Sequence, residues 1–215
     1  MGFTVYDYRA DVRNVLVTPQ IRSRFLRMEP GQTAQLHSHD LGHEVFLILE
    51  GRAEFEIDGE TQELGPGQMC VALADQSHSI RTVGDEPMTM YLSVTPHIQP
   101  THTARTREGA RLPHRFMPSS AYDVETDISA PIEELIQRHV EVAKAVAQAA
   151  QANAIVQQDI AAKLKAAIAA EDNNAVIEAR NALWESLFEM FVKVYELADV
   201  WNELAPRATG EKESE

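Results

Sequence analysis

Cysteine is almost missing from this chain. Cys70 stands alone among 215 residues, so no intrachain disulfide can form, and a reducing compartment is expected. The residue sits in an apolar strand-like run, where a buried, inert thiol is expected. Cations are also scarce: 19 lysines and arginines face 33 acidic residues, for a net charge of -14. Nucleic-acid binding needs clustered cations to neutralise phosphates, so that class is excluded. No apolar run approaches the ~20 residues of a membrane span. The opening MGFTVYDYRADVRN carries charges where a secretory leader needs an apolar stretch. Tyr6 stands where the myristoylation pattern requires Ser or Thr. These absences predict a cytoplasmic protein that contacts neither membrane nor nucleic acid.

What is present is a soluble globular composition, 44% hydrophobic and 24% charged, arranged in two halves of different period. From Ile21 to about Pro96, short strand-like runs alternate with turns. Ala53, Phe55 and Ile57 alternate with Glu54, Glu56 and Asp58, and Asp58-Gly59 is a hairpin signal. Gly51, Gly65-Pro66-Gly67 and Gly84-Asp85 punctuate further strands. Strands and turns at this spacing predict an antiparallel sandwich or barrel.

Residues 97–130 lose periodicity, with prolines at 100, 113 and 118 breaking any regular element. The stretch reads as a loop or linker. It carries Arg105, Arg107, Arg111, Arg115, His97, His102 and His114. Two roles fit: a solvated connector lying along an acidic surface, which is favoured, or a lid bringing cations to an anionic ligand. Residues 131–205 have helical period. Pro131 with Glu133 and Glu134 marks a start, and Ile132, Leu135, Ile136, Val140, Ala143 and Val146 begin a stripe that runs on through Ile168. Glu171-Asp172-Asn173-Asn174 reads as a turn with an N-cap. A second stripe runs from Val176 to Trp201, with its end expected before Pro206 and a disordered tail over 206–215. Trp184, Phe188, Phe191, Tyr195 and Ala198 widen the second stripe beyond one seam. A helical hairpin at the interface of a homodimer is therefore expected.

The chemistry lies between Gly31 and Gly51. His37 and His39, two apart, share one face of a strand, and Glu44 follows. Two imidazoles with a nearby carboxylate form an N/O set that holds Fe, Mn, Ni, Cu or Zn with coordination positions left open. Parity favours Glu44 over His43, because Glu44 shares its face with Phe46 and Ile48. His43 shares the other face with Val45, Leu47 and Leu49.

The segment Gly31-QTAQL-His37-Ser-His39-DLGH-Glu44-VFLILE-Gly51 resembles the first motif of the cupin superfamily, G-x5-H-x-H-x4-E-x6-G. It matches at every fixed position. The second motif, G-x5-P-x-G-x2-H-x3-N, is matched at Gly67 and His78. Leu73 replaces its proline, Asp75 its glycine and Thr82 its asparagine. The resemblance spans roughly residues 20 to 96. It implies a jelly-roll barrel over 1–96 in which His37, His39, Glu44 and His78 hold one divalent transition metal. Gln35, Phe46, Phe55 and Tyr91 are expected to line a pocket for a small molecule. The implied activity is that of a quercetinase-like dioxygenase. Metal-dependent isomerisation or decarboxylation, or non-catalytic binding of a small molecule or metal, are the alternatives.

Overall fold

The computed structural model describes residues 2–125 and 127–208. Thr126 and most of the tail expected over 206–215 lie outside the described residues. The strands are β1 (Asn14–Val17), β2 (Arg22–Met28), β3 (Thr33–Ser38), β4 (His43–Glu50) and β5 (Ala53–Ile57). They continue as β6 (Glu60–Leu64), β7 (Met69–Ala72), β8 (His78–Thr82), β9 (Met88–Thr95) and β10 (Thr103–Ala104). Two helices follow, α1 (Ile132–Ala169) and α2 (Asn173–Arg207).

The strands form two antiparallel five-stranded sheets, ordered β1-β2-β9-β4-β7 and β10-β3-β8-β5-β6. This is a jelly-roll barrel. The alternation seen in the sequence sets its inner face. Glu44, Phe46 and Ile48 of β4 are buried while His43 is exposed, and Ala53 and Phe55 of β5 are buried between half-buried or exposed glutamates. Asp58 and Gly59 turn the β5–β6 hairpin with positive φ of 48° and 82°, the geometry that suits the twist of a two-residue turn. Phe46, Ile48, Phe55, Ile80, Met88 and Met90 fill the core. Burying each such side chain contributes roughly 1.5–3 kcal/mol.

Register places β2 across β9, with Arg22 opposite Val94, Arg24 opposite Leu92, Leu26 opposite Met90 and Met28 opposite Met88. The same β9 residues face β4, where Val94 meets Glu44, Leu92 meets Phe46 and Met90 meets Ile48. Residues directly opposite share a face. The interior is therefore graded: apolar toward Met28 and Ile48, polar toward Arg22, Arg24 and Glu44.

The compact unit holding the sheets runs to Asp127, past the boundary at 96 expected from the sequence. The segment after β9 is mostly loop, but it is built into the barrel wall. β10 pairs with β3, with Thr103 opposite Ser38 and Ala104 opposite His37. His97, Thr101, Thr103 and Tyr122 are buried. Arg105 donates to Ser38 Oγ at 2.9 Å, Arg111 to Asp75 Oδ1 at 2.8 Å, and Thr103 to Asp40 at 2.9 Å. Arg105 also pairs with Asp75. The solvated-connector reading fails for the buried core of this segment. Its periodicity is absent because short edge pairing and side-chain ties, not a regular element, fix its path.

The helical unit is an antiparallel hairpin. Asn153 Oδ1 accepts from Ser186 Oγ at 2.9 Å and from Gln157 Nε2 at 3.0 Å, and Arg138 pairs with Glu203 at 3.1 Å. Asp172 Oδ1 accepts from the backbone N–H of Asn174 and Ala175, both at 3.1 Å, so Asp172 caps α2. The end of α2 differs from the expectation: the helix continues through Pro206 to Arg207. A proline so near the end removes a single helical hydrogen bond, and its fixed φ suits the helix.

Candidate metal centre

Two of the four ligand candidates, His37 and His78, lie in one sheet, His39 stands just beyond one of its strands, and Glu44 lies in the other sheet. His37 lies on β3 directly opposite His78 at the start of β8, so the two rings stand side by side, with centroids 4.3 Å apart. His39 follows the end of β3. Glu44 enters from β4 across the barrel. Its approach depends on Gly42, where a Cβ would stand 2.9 Å from the Thr95 carbonyl oxygen. No side chain fits there, so glycine lets the turn between His39 and Glu44 press against β9.

The four side chains offer ligand atoms that all lie within 4.8 Å of one another. His39 Nε2 is 2.8 Å from Glu44 Oε2, His78 Nε2 is 3.0 Å from it, and His37 Nε2 is 3.9 Å from it. Around an ion with bonds of about 2.1 Å, neighbouring ligand atoms stand about 3 Å apart and opposite ones about 4 Å. The far nitrogens are equally telling. His37 Nδ1 meets the Gln35 carbonyl at 2.8 Å and His78 Nδ1 the Gln76 carbonyl at 3.0 Å. His39 Nδ1 meets the carbonyl of Thr101. A carbonyl oxygen only accepts, so each Nδ1 donates, and each Nε2 is the atom aimed at the carboxylate. A neutral ring would then point a lone pair at a carboxylate. That arrangement needs a cation in the gap, either protons or a metal ion. The donor set fits a divalent transition metal.

Electrostatics agree. Burial pushes His37 down to about 4, with the charge of His78 adding to it. Burial works to raise the Glu44 carboxyl, but hydrogen bonds from His39 and His78 outweigh it and hold it well below the usual range. These groups keep ligand-ready protonation states, a neutral imidazole and an ionised carboxylate, well below neutral pH.

The departures in the second motif leave His78 in place. Asp75 adopts the positive φ of 68° expected of the glycine it replaces. An aspartate tolerates that conformation better than most residues, and Arg105 and Arg111 hold its carboxylate. His43 is excluded geometrically: it is exposed and its Nδ1 accepts from the backbone N–H of Ala74 at 2.8 Å. Cys70 packs against the core, where burial pushes its thiol up to about 12.

A cavity of about 410 Å³ opens beside the cluster, within the usual range for small ligands. Gln35 and His37 are among its lining residues. The other three expected lining residues are not. Phe46 and Phe55 are buried in the core, although the Phe46 ring lies 5.7 Å from that of His78. Tyr91 is opposite Leu47 and Phe25, on the outer face of the sheet. It packs edge-on against Phe25 and hydrogen-bonds Ser23. One residue of parity separates it from the inward-facing Met90 and Leu92.

The cavity is instead lined by Arg22, Arg24, His102, Arg115 and Tyr122. The His102 ring lies 4.8 Å from that of His39 and 5.0 Å from that of His37. Burial first, then the charges of His39 and His37, holds it well below the usual histidine range. Arg22 Nη2 lies 3.9 Å from Glu44 Oε1, with both side chains buried. The sequence held a usable signal for the two β2 arginines. Arg22 and Arg24 alternate in phase with Leu26 and Met28, which places charge on a core-facing stripe. His102 and Arg115 belong to the group of cations between residues 97 and 130 that the lid reading named, but no period or motif singles them out.

The cupin domain family profile matches residues 24–95. A Streptomyces cyaneus protein named polyketide synthase CurC is 35% identical over 91 residues, 40% of this chain and 59% of that protein. An oxalate-binding protein of Thermotoga maritima is 30% identical over 60 residues, 28% of this chain and 50% of that protein. The chain thus matches between half and three fifths of the length of these relatives. An uncharacterized conserved protein with a double-stranded β-helix domain from Klebsiella pneumoniae is 24% identical, with 44% of this chain and 91% of that chain covered and a TM-score of 0.42.

Proposed function

This chain carries a cupin domain, and on that premise we propose that it is a metal-dependent enzyme acting on a small molecule by oxygenase-type chemistry. The metal is held by His37, His39, Glu44 and His78. The observation that carries the reading is the convergence of three Nε2 atoms and one carboxylate oxygen within 4.8 Å, beside a cavity. A divalent ion bound there supplies Lewis acidity and, for a redox-active metal, electron transfer. The chain's own part is to set the geometry. The carbonyls of Gln35, Gln76 and Thr101 orient the three rings. Arg22 steadies Glu44, and the Tyr122 hydroxyl, 2.8 Å from Thr101 Oγ1, ties down the segment that supports His39.

Isomerisation or decarboxylation is a second reading, favoured by His102. A histidine held neutral at the cavity wall is placed to carry a proton near the cluster. Two assays separate the readings: dioxygen uptake, and proton exchange or carbon dioxide release, each on enediols, flavonols, diketones and keto acids with metal-loaded protein. The oxygenase reading expects uptake that vanishes on chelation. Exchange or release without uptake supports the second reading, and silence in both, with ligand-induced melting shifts, leaves a binding module.

The proposal extends to a cytoplasmic homodimer assembled through the helices. Trp184, Phe188 and Phe191 of α2 are each about half exposed, an apolar stripe suited to a second copy. Light scattering should give twice the 24.0 kDa chain mass, and a mass of one chain at micromolar concentration contradicts the dimer.

A further inference from the structure

The polar end of the barrel holds more positive charge than the metal cluster uses. Arg22 and Arg24 point inward from β2, on the stripe that continues as Leu26 and Met28. Arg22 is 3% exposed. Burying a guanidinium is costly unless its donors are satisfied. Yet the Nε of both Arg22 and Arg24 is buried with no hydrogen-bond acceptor. The nearby acids do not fill the gap. Glu44 is engaged by His39 and His78. Asp123 already accepts from the backbone N–H and side-chain amide of Asn14, both at 2.8 Å. Arg115 lines the same cavity and makes no ion pair among the described residues. Three guanidiniums thus face one cavity with donors to spare. Its wall also has apolar parts, Leu36 and Met117.

We propose that this cavity binds a small organic acid, whose carboxylate is clamped by Arg24 and Arg115 and turned toward the metal cluster by Arg22. The planar guanidinium fork matches a carboxylate in two-point contact. Leu36 and Met117 suit the hydrocarbon part of the same molecule. The cavity's volume limits that molecule to a single-ring or short-chain acid. The inference deepens the enzyme reading by naming its substrate class. It rests on that reading for the direction in which the acid points, but the anion site itself needs no metal.

The test uses the full chain, both chelator-treated and metal-loaded, with benzoate, glutarate, inorganic phosphate and uncharged benzamide as probes. Melting shifts and calorimetry read binding. At least one carboxylate is expected to bind both forms, while benzamide does not. Arg24→Gln and Arg115→Gln are each expected to weaken carboxylate binding by about tenfold or more, the effect of losing a charge-assisted hydrogen bond. Both variants are expected to retain their metal. Should Arg24→Gln fail to fold, Arg115→Gln, at an exposed position, decides alone.

Unchanged affinity in the variant that decides, or no binding of either carboxylate, overturns the proposal: water then satisfies the buried Nε groups. Phosphate binding as tightly as the carboxylates overturns the assignment of the ligand class. Carboxylate binding by a protein that takes up no metal sinks the metal reading and spares the anion site. Metal uptake with no anion binding does the reverse.

Discussion

His39→Ala is expected to yield a folded protein nearly free of divalent metal. The imidazole of His39 is 2% exposed, and its Nε2 makes the shortest approach to Glu44 Oε2 in the cluster, 2.8 Å. Truncation removes one of four donors and leaves Glu44 partly uncompensated. Disturbing only the outer hydrogen-bond partner of a ligand costs about 10–100-fold in metal affinity, so loss of the ligand itself should reach at least the upper end of that range. Competition titration against a chromophoric chelator, with elemental analysis after dialysis, reads the effect. Circular dichroism establishes that the barrel persists, since the apolar core centred on Phe46, Ile48 and Phe55 is untouched. Full metal retention in this variant contradicts the assignment.

Acid should destabilise the metal-free protein steeply. Burial pushes His37 down to about 4 and His97 down to about 3, whereas an unfolded histidine takes up its proton near 6.5. As pH falls through about 6.5, the unfolded state binds protons that the folded state refuses, and stability drops. The loss continues until the folded groups titrate, near 4 for His37 and near 3 for His97. Over its full window His37 contributes on the order of 3 kcal/mol and His97 on the order of 5 kcal/mol, sizeable shares of a total stability of about 5–15 kcal/mol. Glu44 acts in the same direction. Its carboxyl is depressed in the folded state, so its contribution exists above the unfolded carboxylate range and fades as pH drops toward its lowered folded value. Urea unfolding of chelator-treated protein at pH 7.5, 6 and 5 should show a midpoint that falls at each step. Added divalent metal, which binds the folded state, should raise the midpoint at each pH. A midpoint independent of pH across that range contradicts the neutral, buried state of His37 and His97.

How far the sequence went, and where it stopped, follows from what kind of signal each residue carries. His37, His39 and Glu44 were legible because strand parity and a dense motif act over a few residues. His78 was less so, since Leu73, Asp75 and Thr82 break its motif. The structure shows why the break is harmless around Asp75: the backbone keeps its positive φ, and Arg105 and Arg111 supply the countercharge. Tyr91 was misplaced by a single position, and in a strand one position means the opposite face. The segment from His97 to Tyr122 escaped for a different reason. Its fixed path comes from β10 pairing with β3 and from long-range ties such as Thr103 to Asp40. Neither leaves a period in the sequence. With that segment went His102, Arg115 and the carbonyl of Thr101 behind His39. The helices were the clearest reading, because two long stripes and the Asp172 cap are local; only Pro206, inside the last turn, misled.

X-ray absorption spectroscopy of the metal-loaded protein reads the ligand shell of the ion itself. A site made of His37, His39, His78 and Glu44 predicts about one ion per chain, with light-atom ligands near 2.1 Å and the multiple-scattering pattern of about three imidazoles. An oxygen-only shell without imidazole scattering, or a metal content far below one ion per chain, would contradict it.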